Sequence, residues 1–239
     1  MRGPRTLATF AVVPSLSLRA VSWGAHIAGE SAAVAADRAV EVASGARRHR
    51  LALLLVDVIN AFFDERGAFF YPEASQVLPG IRALLDAARA GGRLVVHSRE
   101  AHYPALIDYE TRKLPQHCIA GSFDARPFPG FEALPNELEL GKRRYSAFFA
   151  TDLALVLREQ GVEEIVVAGV KTNVCVRASI QDAFAYGFHP VLALGAVNSN
   201  RPHLHEASLE DIRRYFGEVV QLEEAIRRLR GPDEPTLTR

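Results

Sequence analysis

Ile165-Val-Val-Ala-Gly169-Val-Lys171-Thr-Asn-Val-Cys175-Val-Arg-Ala-Ser-Ile-Gln-Asp-Ala-Phe184 decides the fold. Its apolar, β-branched start stops at Gly169 and resumes as a helical pattern, which predicts a strand, a tight turn and a helix. Cys175 then falls at or near the helix N-terminus. Orphan N–H groups and the positive end of the helix dipole favour a thiolate over a thiol there. The carboxyl end of a strand in an α/β sheet is also where such sheets bind ligands. A cysteine nucleophile is the first expectation.

On either side of this stretch, apolar runs alternate with helical patterns. Strands are expected at Leu51–Val56, Leu94–His97, Leu138–Leu140, Val191–Leu194 and Val219–Gln221. Helices are expected at Pro79–Ala90, Leu153–Glu159, from Cys175 to about Tyr186, and at Ser208–Tyr215 and Glu223–Leu229. Strands separated by helices predict an α/β fold, a three-layer αβα sandwich around a mostly parallel, doubly wound sheet. Residues 49–232 form this domain. The segment between Glu100 and Arg144 is Pro-rich and irregular apart from the strand at Leu138.

The remaining chain is less structured in its pattern. Residues 1–48 carry no acid before Glu30 but include Arg2, Arg5 and Arg19, and their apolar stretch Thr6–Leu16 is broken by Pro14. They read as a poorly ordered extension with a helical pattern over Ser31–Ala46, the alternative being a weak export or transit segment. Residues 233–239 read as a tail. With 28 Lys plus Arg against 28 Asp plus Glu, the 239-residue chain carries no net charge and offers no basic stripe for nucleic acid. No apolar run is long enough to span a membrane. Two cysteines, Cys118 and Cys175, make no disulfide framework, which suits a cytoplasmic protein.

Parallel strands align their carboxyl ends along one edge, so residues distant in sequence meet there. Asp57 ends the first strand, Lys142 follows the strand at Leu138, and Cys175 follows the strand at Ile165. An acid, a lysine and a cysteine at one edge make a workable constellation. The carboxylate takes the thiol proton and returns it to a leaving amine, and the ammonium stabilises the thiolate. Amide groups around Lys171 and Cys175 are placed to cradle an oxyanion. Asn60 and Phe62 follow the acid and are expected to line the pocket.

These residues carry a resemblance. Leu-Leu-Val-Asp57-Val-Ile-Asn60, Lys142-Arg-Arg-Tyr-Ser146-Ala-Phe148 and Gly169-Val170-Lys171-Thr-Asn173-Val-Cys175-Val are similar, in order, to the three motifs of the isochorismatase-like cysteine hydrolases. That superfamily includes nicotinamidases, N-carbamoylsarcosine amidases, and ureidoacrylate and biuret amidohydrolases. The match covers roughly Leu51 to Leu229. It implies Asp57 as base, Lys142 as its partner, Cys175 as nucleophile, and a cis peptide between Val170 and Lys171 that aims the Lys171 and Cys175 amides at the oxyanion. It also implies Phe148 and Asn173 near the substrate. Members that hydrolyse a vinyl ether lack the cysteine, so Cys175 favours carbon–nitrogen hydrolysis through a thioester. The vinyl-ether reaction and a catalytically silent binding or assembly member are the alternatives.

Substrate signals within the superfamily are split. The Arg144–Leu153 and Thr172–Val176 segments look like the ureidoacrylate and biuret group, while Leu114-Pro-Gln-His117-Cys118-Ile-Ala-Gly121 resembles a nicotinamidase segment. The small residue usual after the loop valine is Lys171 here. If its ammonium points into the pocket it favours an anionic substrate; if outward, only its amide matters. Arg177 reads equally as a carboxylate binder or a helix-surface ion pair. Nicotinamidases carry an Asp-x-His pair and a further His for a metal. Glu100 and His102 occupy the corresponding stretch, but Glu replaces Asp and no third His follows closely, so neither metal nor cofactor is expected. Cys118 reads as structural. The expected protein is a small-molecule amidohydrolase that forms homo-oligomers.

Overall fold

The computed structural model describes residues 50–231; the expectations for 1–48 and 233–239 lie outside them. Six strands form one wholly parallel sheet in the order β3-β2-β1-β4-β5-β6. They are β1 Leu51–Val56, β2 Leu94–Glu100, β3 Leu138–Lys142, β4 Glu164–Val170, β5 His189–Asn198 and β6 Glu218–Val220. The helices are α1 Asn60–Phe63, α2 Leu78–Ala90, α3 Leu153–Glu159, α4 Arg177–Ala185, α5 Pro202–Asp211 and α6 Leu222–Arg230.

β1 is apolar throughout because both its faces are covered. Leu51, Leu53 and Leu55 pack with α2 and α6, through Ile81, Leu84, Leu85 and Leu229. Ala52, Leu54 and Val56 pack on the opposite side with Leu153 and Leu157 of α3, Ile180 of α4 and Leu209 of α5. Burying each Leu or Val contributes about 1.5–3 kcal/mol, so this strand anchors the domain centre. The doubly wound architecture is therefore present, with helices on both faces.

The order in which strands are added reverses between β1 and β4, the point where such sheets open a crevice. Gly169 makes this junction possible. Its φ is 119°, and a Cβ built there would lie 2.1 Å from the carbonyl oxygen of Val56. Only glycine lets β4 approach β1 so closely, immediately before Asp57.

β2, β3 and β4 run one to three residues past the expected ends, and two elements exceed expectation by more. β5 continues past Leu194 to Asn198, shifting its register against β4 around the Gly195 bend. The helix expected at Ser208 begins at Pro202, because proline suits the first helical position and its missing N–H costs nothing there. Its last turn widens over Ile212–Phe216.

Candidate active site

Asp57, Lys142 and Cys175 converge at the carboxyl edge of the sheet. Asp57 leaves β1 with φ 53°, a left-handed conformation that aspartate tolerates better than most residues. Its Oδ1 accepts the Glu100 N–H at 2.8 Å, where β2 ends. Its Oδ2 lies 2.8 Å from Lys142 Nζ at the end of β3. Both charged groups are fully buried. A buried ammonium and carboxylate each lose several kcal/mol of hydration, so neither persists there without the other.

Cys175 lies in the turn Thr172–Val176 that connects β4 to α4. The Val170–Lys171 peptide that enters this turn is cis. The Ser179 hydroxyl donates to the Cys175 carbonyl at 2.8 Å and accepts the Ala147 N–H at 2.9 Å, joining this turn to the Lys142–Phe148 loop. A thiolate preformed by the helix terminus is not what the site favours. Burial pushes the Cys175 thiol well above its usual value, opposed by Lys142 and reinforced by Asp57 and Glu100. Desolvation outweighs the helix start because the sulfur is almost wholly enclosed. Burial also raises the Asp57 carboxyl, against the pull of Lys142. Lys142 is held above its ordinary value by Asp57 and Cys175, although burial opposes this. The resting group is thus a thiol beside a carboxylate–ammonium pair.

A cavity of about 210 Å³ opens over Cys175. At roughly 30 Å³ per water, this is the room of about seven waters. Phe62, Phe69, Leu114, Tyr145 and Val174 form its walls, with Glu100, His117, Lys171 and Cys175 supplying polar groups. Phe62 is therefore where the sequence placed it. Asn60 instead donates its side-chain N–H to the Phe123 carbonyl at 3.1 Å and pins a neighbouring loop. Phe148 is corrected from pocket to core: it is buried between Tyr186 and Phe188. Asn173 and Arg177 border a separate open groove. Arg177 donates to Asp211 Oδ2 at 2.7 Å, the ion-pair alternative. Cys118 is buried without a charged partner of its own, and burial raises its thiol.

A second polar cluster abuts this cavity. Glu100, His102, Glu110 and His117 offer ligand atoms within 4.8 Å of one another, all buried. His117 stands where the further histidine that the motif spacing appeared to lack would be needed. His102 Nδ1 faces Asp108 Oδ2 at 2.9 Å, and His117 Nδ1 faces the Pro115 carbonyl at 2.7 Å. Each Nε2 lies beside Glu100 Oε1, at 3.2 and 3.1 Å, and the tautomer with Nδ1–H donating outward is the one that leaves Nε2 able to ligate a metal. Both Glu110 carboxyl oxygens are buried without a hydrogen-bond partner among the described residues. This donor set fits a divalent metal of the zinc or manganese kind. The expectation of no metal rested on Glu in place of Asp and on a missing histidine, and the second premise does not hold.

The fold and the site together define a hydrolase domain with a buried cysteine at the switch point of a doubly wound sheet. The chain belongs to the isochorismatase family, whose domain model matches residues 51–224. It is 33% identical over 186 residues to the maleamate amidohydrolase of Pseudomonas putida, covering 75% of this chain and 86% of that protein. It is 29% identical over 194 residues to the ureidoacrylate amidohydrolase of Rhizobium rhizogenes, covering 71% and 79%. Among solved structures, the zinc complex of Pyrococcus horikoshii pyrazinamidase superposes with a TM-score of 0.66 at 29% identity, covering 72% of this chain and 99% of that one. Among the described residues no helix is long and apolar enough to cross a membrane.

The sequence missed Phe69, Leu114 and Tyr145 as cavity walls, and Glu110 as a ligand candidate. Tyr145 sits inside a motif already singled out. Leu114 opens the segment likened to nicotinamidases, while Phe69 and Glu110 lie where no local pattern specifies the path of the backbone.

Proposed function

We propose that the protein hydrolyses a carbon–nitrogen bond of a small amide or ureido compound, with Asp57, Lys142 and Cys175 as its catalytic group. The observation that carries this reading is the buried 2.8 Å Lys142–Asp57 pair beside a buried thiol that lines a cavity. Moving the Cys175 proton to Asp57 keeps the group's total charge constant and places the new anion beside the Lys142 ammonium. That transfer is cheap where creating a lone charge is not. The sulfur then bonds to the amide carbon, and the oxyanion is received by the Lys171 and Cys175 amides. Collapse breaks the C–N bond, Asp57 returning its proton to the departing nitrogen. Water, deprotonated by Asp57, attacks the thioester and releases the acid and the Cys175 thiolate, which regains its proton from Asp57.

The named activities of the relatives, maleamate and ureidoacrylate amidohydrolase, support this bond class over a vinyl ether. Glu100, His102, Glu110 and His117 would hold a divalent metal, which when bound supplies Lewis acidity at the cavity edge. A cytoplasmic homo-oligomer remains part of the reading. Two free cysteines suit the compartment, and exposed Leu106 and Ile107 suit a second copy.

The test is ammonia release from a panel of primary amides, carbamoyl amino acids and ureido acids, for wild type and Cys175→Ala. Turnover that vanishes in a folded Cys175→Ala protein is expected. Turnover retained in that variant removes the cysteine mechanism.

A further inference from the structure

Lys171 is a charged cavity residue whose side chain the proposed chemistry leaves unused. Its ammonium is half-buried, 5.1 Å from the Tyr71 ring centre, 5.8 Å from Phe62 and 5.9 Å from Phe69. Aromatic faces attract a cation but do not saturate its three N–H donors. No carboxylate of the described residues lies within ion-pair distance of it. Burial accordingly lowers its pKa, with Cys175 and Glu100 acting against that at longer range and Arg201 reinforcing it. A cation so placed has N–H donors that no protein acceptor of the described residues takes up, on the wall of the cavity that Cys175 also lines.

The cavity's other walls narrow what can meet those donors. Phe62, Phe69, Leu114 and Val174 are apolar, so the middle of an occupant is hydrocarbon or equally apolar. Glu100 is the only acid on the wall, and it faces His102 and His117 Nε2 at 3.2 and 3.1 Å. About 210 Å³ admits only a short molecule. We infer that the substrate is a short amide acid whose carboxylate pairs with the Lys171 ammonium while its amide carbonyl meets Cys175. The inference rests on the amidohydrolase reading and adds the substrate's charge to it.

Two measurements separate the inference from that reading. In the first, kcat/KM is compared for maleamate and its neutral diamide. Wild type is expected to prefer maleamate about 10- to 100-fold, the scale of one charge-assisted hydrogen bond. Lys171→Met is expected to bring that ratio near one, chiefly through KM, and Lys171→Arg to keep it. A wild-type ratio at or below one, or an unchanged ratio in Lys171→Met, overturns the inference while diamide hydrolysis leaves the amidohydrolase reading intact. In the second, maleate is titrated calorimetrically into Cys175→Ala protein with and without Lys171→Met. At least tenfold weaker binding in the double variant is expected, and equal affinity overturns the inference. Should Lys171→Met not fold, the Lys171→Gln form replaces it in both arms. Maleate binding that depends on Lys171, in a protein that hydrolyses no amide, would sink the catalytic reading and leave the anion site standing.

Discussion

Replacing Lys142 by methionine removes an ammonium from a fully buried position and leaves the Asp57 carboxylate without its counter-charge. At 2.8 Å and an effective dielectric near 20, the attraction lost is about 6 kcal/mol. Because each ion also loses hydration on folding, the measurable cost of breaking such a pair from one side is about 3–5 kcal/mol. Asp57→Asn breaks it from the other side at a similar cost. The Asp57→Asn/Lys142→Met protein contains neither charge and is expected to be no less stable than either single variant. Urea unfolding of the four proteins at neutral pH measures the coupling, expected at about 3 kcal/mol or more. In domains of this size each kcal/mol moves the melting temperature by about 2–4 °C. Ammonia release supplies a second readout. Without Lys142, burial and Glu100 favour the protonated Asp57, which can no longer accept a proton. A fall in kcat of about 10²–10⁴ is expected. Stability effects that add within about 0.5 kcal/mol, or a kcat near wild type, would refute the pairing and its role.

Three further outcomes follow from the same site. The general base must be ionised, and burial holds the Asp57 carboxyl above its ordinary value of 3.8. The rate kcat/KM should therefore be full at higher pH and fall as pH drops through that raised value; a limb at or below 3.8 in the pH profile contradicts this assignment. Gly169→Ala forces a methyl to 2.1 Å from the Val56 carbonyl at a φ of 119°. A loss of about 3 kcal/mol or more in denaturant unfolding is expected, and a change under about 1 kcal/mol would show that the strands yield. Equilibrium dialysis against zinc or manganese should find about one ion per chain. Affinity should fall about tenfold or more in His102→Ala and in His117→Ala; equal uptake by both variants would place the ion elsewhere.

What was legible beforehand follows from where each residue lies relative to an apolar run. Asp57 directly follows β1, Lys142 ends β3 and Cys175 lies in the turn that leaves β4, and parallel pairing brings strand ends together whatever lies between. Glu110 and His117 had no such reference. They reach the site because the irregular segment folds back, pairing His102 with Ile119 in a bridge and capping the Tyr109–Arg112 turn with Asp108. These are tertiary contacts with no local periodicity. Phe148 misled for the converse reason. It closes a motif whose lysine faces the site, but its own ring turns to the core between Tyr186 and Phe188. The thiol's preference was misjudged because a helix terminus is visible in sequence and desolvation is not.

The Ser179 hydroxyl carries one further implication. By accepting from Ala147 and donating to the Cys175 carbonyl, it ties two chain segments to one oxygen on α4. The cysteine turn and the loop leaving Lys142 are thereby fastened to the same rigid cylinder. The outer cavity wall at Leu114 and His117 belongs to a different segment, outside this fastening. Alterations in that wall can therefore retune which compounds enter without misaligning what acts on them.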